Sequence, residues 1–197
     1  MKLYCATTNP GKLREFRLAA QGHVEIEPVE ELGRLPECVE DGATFEENAA
    51  KKALHYSAWA PGPLFADDSG LVVDALGGAP GVVSARFSGP GATDASNNAL
   101  LLEKLRGIGN RTARFVCVIA VAEQGCLAGT FRGEVEGRIL DQARGAQGFG
   151  YDPLFFFEPY GCTFGEVEGP RKFEVSHRGR ALRAMLDYFD RAAFQSR

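Results

Sequence analysis

The sequence predicts an α/β fold built on a mixed β-sheet. Helical patterns of apolar residues alternate along the chain with short apolar runs that are typical of strands. The run 115–122 is apolar throughout, which indicates a central strand buried on both faces. The turn Glu123-Gln124-Gly125 leads into a further apolar run at 127–131 and indicates a β-hairpin. Because a hairpin joins antiparallel strands, we expect a mixed rather than a wholly parallel sheet.

The first predicted elements are a strand at 2–7 and a helix that follows it directly. Asn9 is a favourable N-cap, and Pro10 fits the first helical position. The inner face of this helix is predicted to carry Leu13, Phe16 and Ala20. A second strand is expected at 24–29.

Three more helices are predicted from caps and spacing. Thr44 and Glu47 fit a capping box at the start of the second helix, where Glu47 and Lys51 are also spaced as a favourable ion pair. The third helix opens at Thr93 or Asp94. The fourth, near the C-terminus, is marked by Leu182, Met185, Leu186 and Phe189.

Bulk composition favours one globular domain spanning residues 1–197. The chain is 45% hydrophobic and 24% charged, and it shows neither a repeat nor a flexible linker. A net charge of −4 argues against a nucleic-acid-binding surface, although it permits a local site for a small anion. No apolar run approaches the roughly 20 residues of a membrane span, and Asn-Pro interrupts the N-terminus too early for a signal peptide. Five cysteines without a CxxC pair favour free thiols and a cytoplasmic location.

The segment TTNPGK, residues 7–12, joins the first strand to the first helix. A helix N-terminus offers unpaired amides, and Lys12 adds a positive charge within the first turn, so the junction is suited to phosphate. The spacing is not that of a Walker A loop. Asn, Pro and Gly are also common where a turn needs them for geometry alone, and both interpretations stay open.

Adjacent acids, Asp67 and Asp68, stand between apolar runs expected to be strands at 64–66 and 71–73. Neighbouring side chains on a strand point to opposite faces, so both acids reach one ion only if the chain turns at Ser69-Gly70, as we expect. Desolvated carboxylates need a cation or hydrogen-bond donors. Oxygen ligands without histidine or thiolate favour Mg²⁺. The loop PECVEDG, at 36–42, either supplies a further acid or is simply solvated.

A third candidate region begins at GFGYDP, residues 148–153. Phe149 and Tyr151 either present an aromatic face to a nucleobase or fill the core, which is the more common role of such residues. Ser176 is expected to cap the final helix. Donors that could meet carbonyl or phosphate oxygens cluster nearby: Arg171, Lys172, His177, Arg178 and Arg180. Together the three regions favour a nucleoside triphosphate site with Mg²⁺.

These segments, together with ADDSGLVVDALGGAPGVVSARFSG at 66–89, resemble the inosine triphosphate pyrophosphatase family. The resemblance runs from TTNPGK to SHRGRAL in the family's order and approximate spacing. It implies an elongated α/β fold in which a mixed sheet is flanked by helices, with two lobes and a substrate cleft between them, and usually a homodimer. The implied activity is Mg²⁺-dependent hydrolysis of inosine, deoxyinosine or xanthosine triphosphate to monophosphate and pyrophosphate.

The resemblance also assigns roles to residues. Asp68 matches the metal ligand and general base, Ser69 a substrate contact, and Glu40, at looser spacing, a second metal-binding acid. The triphosphate-binding loop matches Thr7, Thr8, Asn9, Pro10, Gly11 and Lys12. We expect Lys12 and the loop amides to stabilise the charge of the phosphate chain. The base-binding segment matches Phe149, Gly150, Tyr151 and Asp152, and the base-recognising groups match Lys172, His177 and Arg178. Thr8 stands where glycine is usual, which puts the backbone approach to phosphate in question.

Two alternatives remain at this stage. One is a regulatory module that binds a purine nucleotide without cleaving it, although the acid pair argues against that role. The other is a Maf-type nucleotide pyrophosphatase, a related enzyme acting mainly on other bases, but its Ser-Arg-rich N-terminal loop is missing. Neither the ranking of inosine, deoxyinosine and xanthosine substrates nor the residue that excludes guanine follows from the sequence.

Overall fold

A computed structural model describes residues 2–20 and 24–195, so His23 falls outside the described residues. Five α-helices are present in this part of the chain: α1 (Pro10–Ala19), α2 (Phe45–Tyr56), α3 (Asp94–Lys104), α4 (Gly169–Val175) and α5 (His177–Gln195). Its seven strands are β1 (Lys2–Cys5), β2 (Glu25–Pro28), β3 (Leu64–Val73), β4 (Thr112–Glu123), β5 (Cys126–Ile139), β6 (Phe155–Phe157) and β7 (Cys162–Thr163).

The strands form a mixed sheet in the order β2-β1-β3-β4-β5-β6-β7. β1 pairs in parallel with both β2 and β3, whereas β6 pairs antiparallel with both β5 and β7. Gln124 and Gly125 join β4 to β5 with φ values of 50° and 79°, the left-handed conformation that a tight hairpin needs. The predicted α/β fold with a mixed sheet flanked by helices is therefore confirmed.

Contacts divide the chain into two compact units. Unit 1 comprises residues up to Asp68, Cys117–Gly133 and the chain from His177 onward. Unit 2 comprises Ser69–Val116 and Glu134–Ser176. Strands β3, β4 and β5 each continue from one unit into the other. That residues 1–197 act as a single functional domain stays a prediction.

Each unit has its own apolar packing. In unit 1, Phe16 from α1 meets Phe65 from β3 edge-on, with ring centroids 5.1 Å apart, and both side chains are fully buried. In unit 2, Phe115, Phe155 and Phe164 form the centre of a buried aromatic cluster. Burial of several large aromatic rings contributes several kcal/mol per unit, at roughly 1.5–3 kcal/mol for each buried side chain.

The turn expected at Ser69-Gly70 is wrong, because β3 is one continuous strand from Leu64 to Val73. Gly70 serves close packing instead. A Cβ at this position would lie 2.4 Å from Ser84 Oγ and 2.5 Å from the Gly81 carbonyl oxygen, closer than any side chain permits. Ser84 Oγ also accepts a hydrogen bond from the amide of Leu71, at 2.9 Å.

The predicted caps are present, but one capping box and one ion pair differ from the prediction. Thr44 Oγ1 accepts from the amide of Glu47, whereas the Glu47 carboxylate accepts from the amide of Ala43 rather than that of Thr44, so the capping box predicted there is half formed. Thr93 forms a reciprocal capping box with Ser96 at the start of α3. Lys51, expected to pair with Glu47, instead contacts Asp41 at 2.5 Å, because the loop before α2 folds back along the helix. The structure adds β6, β7 and α4, which the sequence pattern did not predict. No described helix is long and apolar enough to cross a membrane.

Candidate active site

Helix α1 begins with a preformed turn at Asn9. The Asn9 side chain accepts hydrogen bonds from the amides of Gly11, at 2.9 Å, and Lys12, at 3.1 Å. Pro10 occupies the first turn, where its missing amide costs nothing. The Asn-Pro-Gly sequence thus has the structural role expected of a turn, and it also fixes the position from which Lys12 extends.

Two threonines precede this cap. Thr7 Oγ1 accepts from the amide of Asn9 at 3.2 Å, whereas Thr8 is exposed. The backbone of Thr8 does not adopt a positive φ, so its conformation requires no glycine. Any effect of this side chain is therefore steric, at the surface of the loop, rather than a strain in the backbone.

Asp67 lies on β3 with only 3% of its surface exposed. One of its oxygens lies 2.8 Å from Lys12 Nζ, and the Cys117 thiol donates to the same oxygen at 4.0 Å. Burial by itself raises the pKa of this carboxyl, but Lys12, Arg178 and Lys52 outweigh it and lower the pKa to about 2. Asp67 is consequently the member of the pair whose ionised form is favoured.

Asp68, the next residue, has different partners. Asn48 Nδ2 donates to it at 3.1 Å, and Lys52 Nζ lies 3.8 Å away; both come from α2. Burial raises the pKa of Asp68, and the nearby Lys52 and Asn48 reduce this effect without cancelling it. The two acids thus differ in their direct contacts and in the direction of their pKa shifts. Asp68 is the one suited to accept a proton.

Lys52 also connects Asp68 to the acidic loop before α2. Its Nζ lies 2.9 Å from Glu40 Oε2. Burial lowers the pKa of Lys52, but the charges of Asp67, Asp68 and Glu40 outweigh burial and raise it. Thus Glu40 and Asp68 lie within reach of one cation, which in this structure is a lysine ammonium.

The loop that carries Glu40 is fastened along the length of α2. The Gly42 amide donates to Asn48 Oδ1 at 2.8 Å, and the Ala43 amide donates to Glu47 Oε2 at 2.7 Å. Farther along, the Cys38 amide donates to the Tyr56 hydroxyl at 3.2 Å. Of the three loop acids, Glu40 and Asp41 have lysine partners, whereas Glu37 is exposed. A purely solvated loop does not describe this segment.

Two carboxylates of the site are placed to hold Mg²⁺, and the remaining ligands would have to come from elsewhere. Mg²⁺ is commonly held by one or two carboxylates, with substrate phosphates and water completing its shell. Glu40 and Asp68, which share Lys52, are the acids placed for that role, whereas Asp67 is engaged by Lys12. Among the described residues no group of three His, Cys, Asp or Glu is arranged as a metal site. An ion here would therefore depend on ligands from a bound substrate.

In unit 2, GFGYDP forms a tight turn closed by Asp152. Asp152 is 2% exposed; it accepts from the amide of Phe149 at 2.9 Å and from Lys172 Nζ at 2.6 Å. The Lys172 ammonium lies 5.3 Å from the centre of the Phe149 ring. Tyr151 is buried in the core of this unit, and its hydroxyl donates to the Ser84 carbonyl at 2.8 Å. Tyr151 thus fills core, as one interpretation expected, and its contact with substrate stays a prediction.

The remaining predicted site residues lie in other settings. Ser69 is half-buried on β3, directly after Asp68. Ser176 immediately precedes α5, as expected of a cap, and His177 is buried in the first turn. Arg178 is also buried and forms an ion pair with Glu15 of α1. Burial lowers the pKa of Arg178, but Glu15 and Asp67 outweigh it and raise that pKa.

Sequence reasoning missed Lys52, Asn48 and Glu15. Asn48 and Lys52 stand four residues apart on α2, so they share a face of the helix, and that spacing was a signal available in the sequence. Glu15 lies on α1, and nothing in its neighbourhood along the chain indicates Arg178. The five cysteines are free thiols, as predicted.

Fold and site together define an α/β protein with a buried ionic centre that is suited to a phosphate-bearing ligand. The model of the Ham1 family matches residues 3–188, and the chain therefore belongs to the Ham1 family. The family resemblance found in the sequence is thereby confirmed.

Known relatives agree along nearly the whole chain. A dITP/XTP pyrophosphatase of Desulfotalea psychrophila is 52% identical over 178 residues, covering 90% of this chain and 80% of the relative. A second protein of that name, from Syntrophobacter fumaroxidans, is 51% identical and covers 95% of this chain and 82% of the relative. The solved structure of the Staphylococcus aureus Ham1 protein superposes with a TM-score of 0.86 at 34% identity, covering 96% of this chain and 98% of the other.

Proposed function

We propose that the chain hydrolyses the non-standard purine nucleoside triphosphates ITP, dITP and XTP to the monophosphate and pyrophosphate, removing them from the nucleotide pool. The relatives named dITP/XTP pyrophosphatase support this activity at about half identity and nearly full coverage. The observation that carries the proposal is the position of Asp68. This buried carboxylate of raised pKa lies between Asn48 and Lys52, and Lys52 also holds a second acid, Glu40.

In the proposed reaction Asp68 orients a water molecule and takes its proton. The water oxygen forms a bond to the α-phosphorus, and the bond from that phosphorus to the oxygen bridging to the β-phosphate breaks. Pyrophosphate leaves with the bonding electrons. A carboxylate of raised pKa is a stronger base than an ordinary aspartate, which suits it to this step. The fixed amide of Asn48 holds the carboxylate in one orientation.

The phosphate chain is proposed to lie along residues Thr7–Lys12 at the start of α1, and Ser69 is proposed as a further substrate contact. Lys12, already fixed by Asp67, supplies positive charge where negative charge develops in the transition state. The partial positive charge of the helix N-terminus adds to it. Asp67 would thus act on the reaction through Lys12 rather than by touching the substrate.

We propose Mg²⁺ as the cofactor, held by Glu40 and Asp68. When bound, it would neutralise phosphate charge and polarise the reacting phosphoryl group. Lys52, which lies 2.9 Å from Glu40 and 3.8 Å from Asp68, would contribute by holding the two carboxylates close together. The homodimer implied by the family resemblance and the cytoplasmic location favoured by the free cysteines are part of the same proposal.

Base selection is proposed to rest on hydrogen-bond polarity. Inosine and xanthosine carry an exocyclic oxygen where adenosine carries an amino group. Donors from Lys172, His177 or Arg178 would therefore favour the former, and a donor facing an amino group would leave both groups unpaired, at about 1–3 kcal/mol for each buried group. The Phe149 ring and Asp152, through its contact with Lys172, would complete the base-recognising segment.

The test is pyrophosphate release from ITP, dITP, XTP, GTP and ATP, each with and without Mg²⁺. We expect release from the first three with Mg²⁺ and little from the others. Asp68→Asn should abolish turnover while the protein stays folded, and near-normal release by this variant would refute the role of Asp68. Tight nucleotide binding with no pyrophosphate formed would instead favour a regulatory module.

A further inference from the structure

Both polar groups of Gly150 are held by the first turns of α3. The Gly150 amide donates to Asp94 Oδ2 at 2.7 Å, and Asn98 Nδ2 donates to the Gly150 carbonyl at 3.0 Å. Asp94 and Asn98 stand four residues apart on the helix and so share one face. Two side chains of a helix more than fifty residues earlier in the chain therefore hydrogen-bond to one residue of the GFGYDP turn. Asp94, Asn98 and Gly150 all belong to unit 2.

The start of α3 is itself firmly placed. Thr93 and Ser96 cap each other's amides, at 3.1 Å and 2.9 Å. Asn97 then fastens the helix to the preceding segment, since its side chain donates to the Ala85 carbonyl at 3.1 Å and accepts from the Ser88 amide at 2.8 Å. Asp94 and Asn98, which hydrogen-bond to Gly150, thus extend from a helix start that is itself held in place by hydrogen bonds.

The orientation of Asn98 is determined by Gly150. Asn98 Oδ1 is buried and has no hydrogen-bond partner among the described residues, whereas Nδ2 has the Gly150 carbonyl. Rotating the amide by half a turn would place two acceptors, Oδ1 and the carbonyl oxygen, against each other. The observed orientation leaves Oδ1 without a partner among the described residues, which is unfavourable, but it lets Nδ2 donate to the Gly150 carbonyl. The hydrogen bond to Gly150 therefore determines which way the Asn98 amide points.

Gly150 needs such support because of its backbone. Its φ of 63° is left-handed, which is strained for most residues and easy for glycine, but glycine is also the most flexible residue. On one side of it, the Phe149 amide is held by Asp152, and Asp152 in turn binds Lys172. The hydrogen bonds to the amide and the carbonyl of Gly150 hold the peptide groups on both sides of it. They thereby fix the direction of the Phe149 ring and of the Asp152–Lys172 pair.

We infer that Asp94 and Asn98 are positioning residues for base recognition, acting on the base-recognising segment through the peptide of Gly150. Neither is assigned a contact with substrate. The inference rests on the proposed function, in which this segment recognises the purine. It predicts that removing either hydrogen bond to Gly150 weakens recognition of the base, while the chemical step at Asp68 is unchanged.

The experiment uses isosteric and truncating variants of the full chain, with steady-state kinetics on XTP, dITP and GTP. Asn98→Ala and Asp94→Ala should each raise KM for XTP and dITP about tenfold, the effect of losing one positioning hydrogen bond, with kcat changed less than about twofold. Preference for XTP over GTP should fall in parallel. Asp94→Asn keeps an oxygen acceptor for the Gly150 amide and should behave like the unaltered chain.

Asn98→Asp is the sharper variant, because it replaces the donor with a carboxylate facing the Gly150 carbonyl. It should raise KM more than Asn98→Ala does. The matched control for Asp94→Ala is Asn110→Ala, which likewise removes a side-chain acceptor of a backbone amide, here that of Thr112 at 3.0 Å, elsewhere in unit 2. This control should leave KM and base preference unchanged, and thermal unfolding of every variant separates local effects from loss of the fold.

The outcomes are distinguishable. If the unaltered chain releases no pyrophosphate from any purine triphosphate with Mg²⁺, the proposed function fails. If the unaltered chain is active but the Ala variants keep its KM and base preference, the positioning role fails alone. Equal losses in Asp94→Asn and Asp94→Ala, or a fall in kcat with KM unchanged, would overturn it as well. Should Asn98 variants not fold, the two Asp94 variants carry the test.

Discussion

Replacing Asp67 with Asn tests whether the adjacent acids have opposite effects on stability. The neighbouring cations lower the pKa of Asp67 from 3.8 to about 2 although burial by itself raises it. A difference of nearly two pKa units corresponds to ~2 kcal/mol of folding free energy, at about 1.36 kcal/mol per unit. Since the pKa is lower in the folded state than in the unfolded one, this stabilisation is fully present above about pH 4 and is lost as the pH falls from 4 towards 2.

Asp67→Asn should destabilise the protein by more than this amount at pH 7. The substitution leaves Lys12 without the carboxylate that lies 2.8 Å away, and breaking a buried ion pair costs about 3–5 kcal/mol. Urea unfolding followed by circular dichroism at pH 7, 5, 4 and 3 measures the difference between the two proteins. That difference should shrink as the pH falls, because Asp67 in the unaltered chain becomes protonated. Adding Lys12→Met to Asp67→Asn should restore part of the loss.

Asp68→Asn is the matched control. Burial raises the pKa of Asp68, so its ionised form is disfavoured in the folded state, and the resulting cost grows as the pH rises through that pKa. Removing this charge should leave the unfolding midpoint at pH 7 unchanged or higher, even though activity is lost. The reasoning is refuted if Asp67→Asn is as stable as the unaltered chain at pH 7, or if Asp68→Asn is the more destabilised of the two.

Three further predictions concern the proposed chemistry and the charge pairs. Because the pKa of Asp68 is raised, the acidic limb of the profile of kcat/KM against pH should lie above the ordinary aspartate range. Lys52→Met should move this limb to higher pH, because Lys52 is a cation that lowers the pKa of Asp68. A limb that does not move in this variant would exclude Asp68 as the titrating base. Glu40→Gln should weaken Mn²⁺ binding, measured by electron paramagnetic resonance, and raise the Mg²⁺ concentration needed for half-maximal turnover; unchanged metal affinity would remove Glu40 from the site. Lys172→Met should lower the free energy of unfolding in urea by about 3–5 kcal/mol, because it leaves the buried carboxylate of Asp152 without its lysine partner. Adding Asp152→Asn should recover part of this loss. Full stability of Lys172→Met would contradict this prediction.

The sequence by itself determined the elements whose signals are local. Asn9 and Thr44 cap their helices as predicted, and Thr93 is the cap of the two residues considered at α3, because a cap depends on amides two or three residues away. The hairpin between β4 and β5 was likewise predictable, since its turn is made by two adjacent residues. The short segments β6, β7 and α4 were not, because three, two and seven residues carry little periodicity.

The sequence also identified Asp67 and Asp68 as unusual, since charged side chains between buried runs need partners. It did not determine the partners. Lys12 is separated from Asp67 by 55 positions, and Lys52 reaches both Glu40 and Asp68 from a helix between them in the sequence. The wrongly expected turn at Ser69-Gly70 arose from the same limit, because the close approach of the Gly81–Ser84 segment, which accounts for Gly70, is not visible along the chain.

Tertiary structure therefore decided which acid has a lowered pKa and which has a raised pKa and is suited to be a base. Both are aspartates on one strand with similar local sequence. Their pKa values diverge because Lys12 lies 2.8 Å from Asp67 and Arg178 also lowers the pKa of Asp67, whereas Lys52 lies 3.8 Å from Asp68. Coulomb energies depend on those distances and on burial, and neither is encoded within a few residues of either acid. The order of strands and helices around β3 sets them.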